Sequence, residues 1–127
     1  MRSDKLYVVK KEKIQDRTYD FALEIIRFVK MLPYNTATAS LGRQLIRSGT
    51  SIGANIEEAQ GASIRKDFIN KMNISKKEAR ETRYWLKLIN DAQLINNNMS
   101  GLLEEINEII NILTAIVKTS ESKNHNS

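Results

Sequence analysis

The chain has 127 residues, with 20 Lys and Arg against 15 Asp and Glu, a formal net charge of +5, and no cysteine. That length is enough for one domain with a real core, and the lack of thiols excludes disulfides and thiolate metal sites and fits a reducing compartment. No run is apolar for long enough to cross a bilayer, and the apolar stretch Leu6-Tyr7-Val8-Val9 is too short for a signal-peptide core, so the expected location is the cytoplasm.

Residues 1–11 precede any helical pattern and form an N-terminal arm. Its Leu6-Tyr7-Val8-Val9 favours an extended conformation and is read as a loose arm or a strap across a neighbour, the strap being preferred because four exposed apolar residues in a free tail would be wasteful. A first helix is predicted over about 12–32, beginning near Glu12 or Asp16. Ile14, Phe21, Ile25, Phe28 and Leu32 recur there at helical spacing. Pro33 ends it, because the residue before a proline avoids the helical region.

The second helix is predicted over about 38–60, with Thr38 or Ser40 as its cap and Gly61 as the break after it. Leu41, Leu45, Ile52, Ile56 and Ala59 fall on one face, and Gly42, Ile46, Gly49 and Gly53 line its edge. Arg43, Arg47, Thr50, Ala54 and Glu58 lie opposite. Each glycine inside a helix costs about 1 kcal/mol relative to alanine, so this helix depends on neighbours packed against it. Gly42, Gly49 and Gly53 mark a close helix contact. The Gly49-x-x-x-Gly53 spacing also occurs in membrane dimers, but Arg43, Arg47, Glu57 and Glu58 exclude a membrane span.

The third helix is predicted over about 63–94, with Ser63 as cap and Asp67 near its positive end. Phe68, Met72, Ala79, Leu86 and Ile89 form its core stripe. Trp85 at the edge of that stripe, and Tyr84 across the helix, read as core or interface aromatics. Residues 62–94 carry eight Lys and Arg against four acids, the densest positive charge of the chain. Lys76, Arg80, Arg83 and Lys87 step by four, three and four, within a sector of roughly 60°. Arg65 lies on the same line, Lys66 and Lys77 flank it, and Glu78 and Glu81 point elsewhere; only Lys71 breaks the segregation. Like charges at this spacing repel by a few tenths of a kcal/mol per pair, and a merely solvated face would interleave acids. The stripe is the candidate polyanion-binding surface. Arg43 and Arg47 are weaker candidates, since Glu58 shares their face as a prospective ion-pair partner.

Asn96-Asn97-Asn98 has turn composition. The fourth helix is predicted over about 100–118, capped by Ser100. Leu102, Ile106, Ile109, Leu113 and Ile116 repeat at heptad spacing beside a second line of Leu103, Ile110 and Val117. Such a wide apolar surface exceeds one seam, so this helix is either central or buried by another subunit. Residues 119–127 are polar and expected to be disordered.

Catalytic chemistry is sparse. The single histidine, His125, lies in the tail, Glu57-Glu58 and Glu104-Glu105 are adjacent pairs that diverge on a helix, and no Gly-rich phosphate loop is present. Ser51 and Asn55, near the rim of the second helix, are expected to bond to a neighbouring helix or its end. A non-enzymatic protein without cofactor or metal is the expectation.

Gln44–Ser63, QLIRSGTSIGANIEEAQGAS, followed by Asp67–Ile89, DFINKMNISKKEARETRYWLKLI, resembles a bacterial four-helix-bundle family. Its members include proteins encoded in intervening sequences of large-subunit ribosomal RNA genes and the accessory variability protein of diversity-generating retroelements. Where many relatives have a SIPSNIAEG-like segment, this chain reads Ser51-Ile52-Gly53-Ala54-Asn55-Ile56-Glu57-Glu58-Ala59. The resemblance covers about Lys11 to Lys118. It implies an all-α, up-down four-helix bundle assembling as a homopentameric barrel. In the retroelement branch it further implies nucleic-acid binding through a basic surface and association with a reverse transcriptase. The expected function is nucleic-acid binding by phosphate neutralisation with little base reading. The alternatives are a protein-interaction scaffold whose basic stripe docks an acidic partner, and an intervening-sequence protein of unknown role.

Overall fold

Four helices make up the computed structural model, which describes the backbone of residues 13–126 and the side chains of residues 13–123. They are α1 (Ile14–Met31), α2 (Thr36–Gln60), α3 (Arg65–Asp91) and α4 (Ser100–Asn126), with no strand among the described residues. The expected arm, residues 1–11, lies outside them.

The helix ends follow local chemistry that differs in detail from the sequence expectation. Leu32 is extended (φ −66°, ψ 134°) before Pro33 and stops α1. Asn35, rather than Thr38 or Ser40, caps α2. Its Oδ1 accepts from the Thr38 N–H at 2.9 Å, and Thr38 Oγ1 accepts from the Asn35 N–H at 3.0 Å, a reciprocal capping box. Ile64 takes the N-cap position of α3 without a side-chain bond, so Ser63 falls one residue short of the role expected of it. At the far end, Gln93 adopts φ 56°. Its N–H donates to the Asn90 carbonyl at 3.1 Å, and the Leu94 N–H donates to the Ile89 carbonyl at 3.2 Å. This paired closure ends α3 at Asp91 and turns Leu94 back onto the core. Asn98 Oδ1 accepts from the Ser100 N–H at 2.8 Å, so the start of α4 is held by Asn98 and not by the Ser100 side chain.

The largest correction is at the C-terminus. Residues 119–126, expected to be disordered, continue α4. No glycine or proline stands in this stretch to stop the helix. Its Thr119, Ser120 and Lys123 line a crevice with Ala62, Ser63, Ile64, Arg65 and Phe68, so the last turns have the α2–α3 connection beside them.

Each helix runs against its predecessor, and the large seams join consecutive helices. α1 covers the small-residue edge of α2. A methyl built on Gly42 would lie 3.1 Å from Val29 Cγ1, one on Gly49 3.1 Å from Ile25 Cγ2, and one on Gly53 3.2 Å from Thr18 Oγ1. The absent side chains are what admit α1. Between α2 and α3 the seam carries buried hydroxyls. Ser75 Oγ donates to the Ile52 carbonyl at 2.8 Å, and Thr82 Oγ1 lies 2.9 Å from Ser48 Oγ. Among the described residues no buried side-chain N or O lacks a partner. α1 and α4 meet only briefly. There Arg17 donates to Glu105 at 2.7 and 3.0 Å and to Glu108 at 2.5 Å. The Glu105 hydrogen bond raises the Arg17 pKa above its ordinary value, and the guanidinium stays charged at every accessible pH.

The core is built from Phe21, Ile25, Leu45, Ile52, Ile56, Met72, Leu86, Ile89, Ile106, Ile109 and Leu113, all 2% exposed or less. On α4, Ile106, Ile109, Ile110, Leu113 and Val117 are buried, and Leu102, Leu103, Ile112 and Ile116 are half-buried. That helix packs mainly on α3, so within one chain it is not central, and the half-buried Leu102, Leu103, Ile112 and Ile116 keep part of its apolar breadth in contact with solvent. The exposed large apolar residues lie on α1 (Tyr19, Ile26, Met31), in the α1–α2 turn (Tyr34), and at the start and outer side of α3 (Ile64, Ile74, Tyr84, Leu88). Among the described residues no helix is long and apolar enough to cross a membrane.

Candidate nucleic-acid interface

The buried line of α3 comprises Ile69, Met72, Ser75, Ala79, Thr82, Leu86 and Ile89. Steps of three and four keep these residues on one side as the helix wraps its neighbours. The two flanks of this line differ in charge. On one flank, Glu78 and Glu81 reach across to α2, where Arg47 pairs with both, at 3.2 Å to Glu78 and in a close contact with Glu81. Glu81 also accepts from Trp85 Nε1 at 3.0 Å. Lys71 pairs with Glu58 at 2.7 Å. On the other flank stand Lys76, Arg80, Arg83 and Lys87. At about 100° per residue, Glu78 and Glu81 lie roughly 130–170° around the helix from the middle of this stripe. Glu78 and Glu81 therefore do not dilute it; they are spent on α2, while of the other two acids of α3 Asp67 lies on the far side and Asp91 stands at the end of the stripe, four residues after Lys87.

Arg65, Lys66, Lys77, Arg80 and Lys87 are exposed, and Lys76 and Arg83 are half-buried. Arg83 Nη1 donates to Asn107 Oδ1 of α4 at 2.9 Å, which fixes the guanidinium on the α3–α4 side. Among the described residues none of these seven cations has a carboxylate within 4.0 Å. From Lys66 to Lys87 the basic side extends about 32 Å along the helix axis.

Two sequence candidates separate from this surface. Arg47 is neutralised by Glu78 and Glu81, not by Glu58 as expected. Eleven helical residues put Glu58 about 16 Å from Arg47 along the axis, and Glu58 instead meets Lys71. Arg43 is exposed but lines a crevice of about 240 Å³ with Val29, Leu32, Tyr34 and Ile46, on the α1 side of α2. Ser51 and Asn55 bond to carbonyls of their own helix, those of Arg47 and Ser51, at 2.6 and 2.8 Å, and not to a neighbour. The structure adds two residues. Lys123 shares with Arg65 the crevice of about 430 Å³ at the foot of α3; its assignment to a disordered tail had hidden it. Tyr84 is 57% exposed on the basic side, four residues after Arg80 and three before Lys87, a spacing that could have found it. No group of three or more His, Cys, Asp or Glu suited to a metal ion occurs among the described residues.

The model of the family described as 23S rRNA-intervening sequence protein matches residues 10–115. The chain belongs to this family. The match takes in α1, α2, α3 and the greater part of α4, including the whole basic stripe. A solved structure from Bacteroides thetaiotaomicron, a protein of unknown function from the S23 ribosomal protein family, is similar at 40% identity and a TM-score of 0.78. That similarity covers 84% of this chain and 99% of the other. A comparison with curated proteins found no match. The family membership agrees with the resemblance seen in Gln44–Ser63 and Asp67–Ile89.

Proposed function

We propose that this member of the family is a non-enzymatic nucleic-acid-binding protein that acts as a homo-oligomer. The observation that carries the reading is the basic side of α3, where cations with no partnering carboxylate follow one another while Glu78 and Glu81 of the same helix are paired away on α2. Such a surface neutralises phosphates and gains affinity by counterion release. It offers no reading head for base edges, so phosphate contacts dominate. The description of the matching family, which names a 23S rRNA intervening sequence, supports RNA as the first ligand to try. It gives less support to the retroelement branch with its reverse transcriptase partner.

Self-assembly as a pentamer is implied by the resemblance. The exposed Tyr19, Ile26, Met31 and Tyr34 offer apolar surface for a second copy on the α1 side of the molecule. Contacts there would leave the α3 stripe free and repeat it around a ring, so that a modest charge per chain becomes a continuous positive band. Light scattering measures the assembly, and the mass of a single chain at micromolar concentration would refute it.

The test of binding is Arg80→Glu with Arg83→Glu. The double variant is expected to keep its circular-dichroism melt and to lose RNA and DNA binding in titrations at several salt concentrations. The parent is expected to weaken steeply as salt rises, with a slope set by the number of phosphates neutralised. A folded double variant that binds as tightly as the parent would refute the assignment of the stripe.

A further inference from the structure

We propose that the exposed ring of Tyr84 is a stacking platform for an unpaired base, so that the ligand of the α3 surface is single-stranded nucleic acid. The proposal rests on the nucleic-acid reading above and names the form of the ligand.

Three observations carry it. First, Tyr84 is 57% exposed although it is a large aromatic residue in the middle of a long helix. Second, its position is electropositive. On α3 it falls in line with Lys66 and Lys77 and between Arg80 and Lys87; the nearest acids are Glu81, about 60° around the helix and paired with Arg47, and Asp91, about two turns on at the helix end. An aromatic face among cations is the combination with which sequence-tolerant single-strand binders hold bases and backbone together. Third, the ring is held. Tyr84 and Trp85 pack edge to face, with centroids 5.2 Å apart and planes at 70°. Trp85 is half-buried and donates through Nε1 to Glu81, which is itself paired with Arg47. A chain of contacts from α2 thus backs the tyrosine and limits the side-chain freedom that stacking would otherwise have to remove.

The geometry separates single strands from duplex. In a duplex the bases are stacked on one another, and a ring standing on the outer face of a straight helix meets only sugar and phosphate. The cations of α3 serve both forms, whereas Tyr84 contributes only where a base is free to leave its neighbours. An unpaired segment lying along the stripe would place phosphates against Arg80, Arg83 and Lys87 while one base covers the Tyr84 ring.

The experiment uses the full chain with a labelled polyuridine strand of about 12 nucleotides and a hairpin duplex carrying the same label, titrated at several salt concentrations. Tyr84→Ala is expected to weaken single-strand binding by about five- to 150-fold, the range found for loss of one stacked base. Duplex binding should stay within about twofold, because phosphate contacts are untouched. The slope of affinity against salt should not change, since no charge is removed. Tyr84→Phe, which keeps the ring and drops the hydroxyl, should bind like the parent. Equal losses on both ligands, no loss on either, or failure of Tyr84→Phe to retain affinity would each overturn the stacking role while leaving the phosphate reading intact. A changed assembly mass for Tyr84→Ala by light scattering would overturn it too, by making the ring a subunit contact. A parent protein that binds neither ligand would refute the function proposed above and this inference with it.

Discussion

Gly49→Ala is the sharpest probe of how α1 is seated. Alanine in place of glycine inside a helix gains about 1 kcal/mol from propensity alone. Against that, the new methyl would sit 3.1 Å from Ile25 Cγ2, 3.2 Å from its Cγ1 and 3.5 Å from its Cβ. Carbon pairs are at their best near 3.5–4.0 Å (roughly,), so two of these contacts are tight by a few tenths of an ångström. Ile25 has nowhere to retreat, because it is fully buried and its β-branched side chain is stiff about χ1. Its Cβ is among the near atoms, so no rotamer frees the space and α1 itself has to shift. Overpacking of this kind costs about 1–3 kcal/mol, and after the propensity gain the expected net loss is about 0–2 kcal/mol. Gly101→Ala is the matched control. Nothing lies within 4 Å of its prospective methyl and its φ is not positive, so it should stabilise by about 0.4–1 kcal/mol. The assay is urea denaturation of both variants at one fixed protein concentration, since assembly shifts apparent stability. If Gly49→Ala raises the midpoint as much as Gly101→Ala does, α1 is not tightly seated on the glycine edge and the packing account is wrong.

Two further outcomes follow from named contacts. Thr82→Val leaves Ser48 Oγ buried with only a 3.5 Å contact to the Leu45 carbonyl and should cost about 1–3 kcal/mol. Ser48→Ala should cost less, because Thr82 Oγ1 still reaches the Glu78 carbonyl at 2.8 Å, and the double variant should lose less than the sum; strict additivity in denaturant melts would show that the hydroxyl pair contributes nothing. Arg47→Ala removes two ion pairs whose cation is 48% exposed, so it should cost at most about 1 kcal/mol. Nucleic-acid affinity should stay within about threefold of the parent, and a loss as deep as that of the Arg80 and Arg83 double variant would place the interface on α2 as well.

The four helices were legible because each carries its own apolar period. Phe21, Ile25 and Phe28, then Leu45, Ile52 and Ile56, then Met72, Ala79 and Leu86, then Ile106, Ile109 and Leu113 are buried at the spacings read from the chain. Their ends were less legible because capping depends on reach and backbone geometry as much as residue type. Thr38 is a good cap in isolation but serves as the third residue of the box that Asn35 opens. Gln93 takes a left-handed turn that glycine more often signals. The extension of α4 past Lys118 has no apolar stripe to announce it; its turns lie beside the α2–α3 connection. The stripe itself could be read from spacing, since charge segregation around one helix is a property of that helix. Which charges are already paired could not, because Arg47 finds its partners 31 and 34 residues away, across the α2–α3 seam.

The seams also set how the chain can come together. Each extensive contact joins a helix to the next one along, across a short connection, so little loop-closure entropy stands before the first rewarding contacts. The α2–α3 hairpin can assemble with its Ser48–Thr82 and Ser75–Ile52 bonds as soon as residues 48–82 are available. The contact that ties the beginning of the chain to its last helix, Arg17 to Glu105, spans 88 residues and lies where α1 and α4 meet only briefly. A bundle wired this way is rich in contacts between neighbours in sequence, the kind of topology that folds faster than one built on distant pairings.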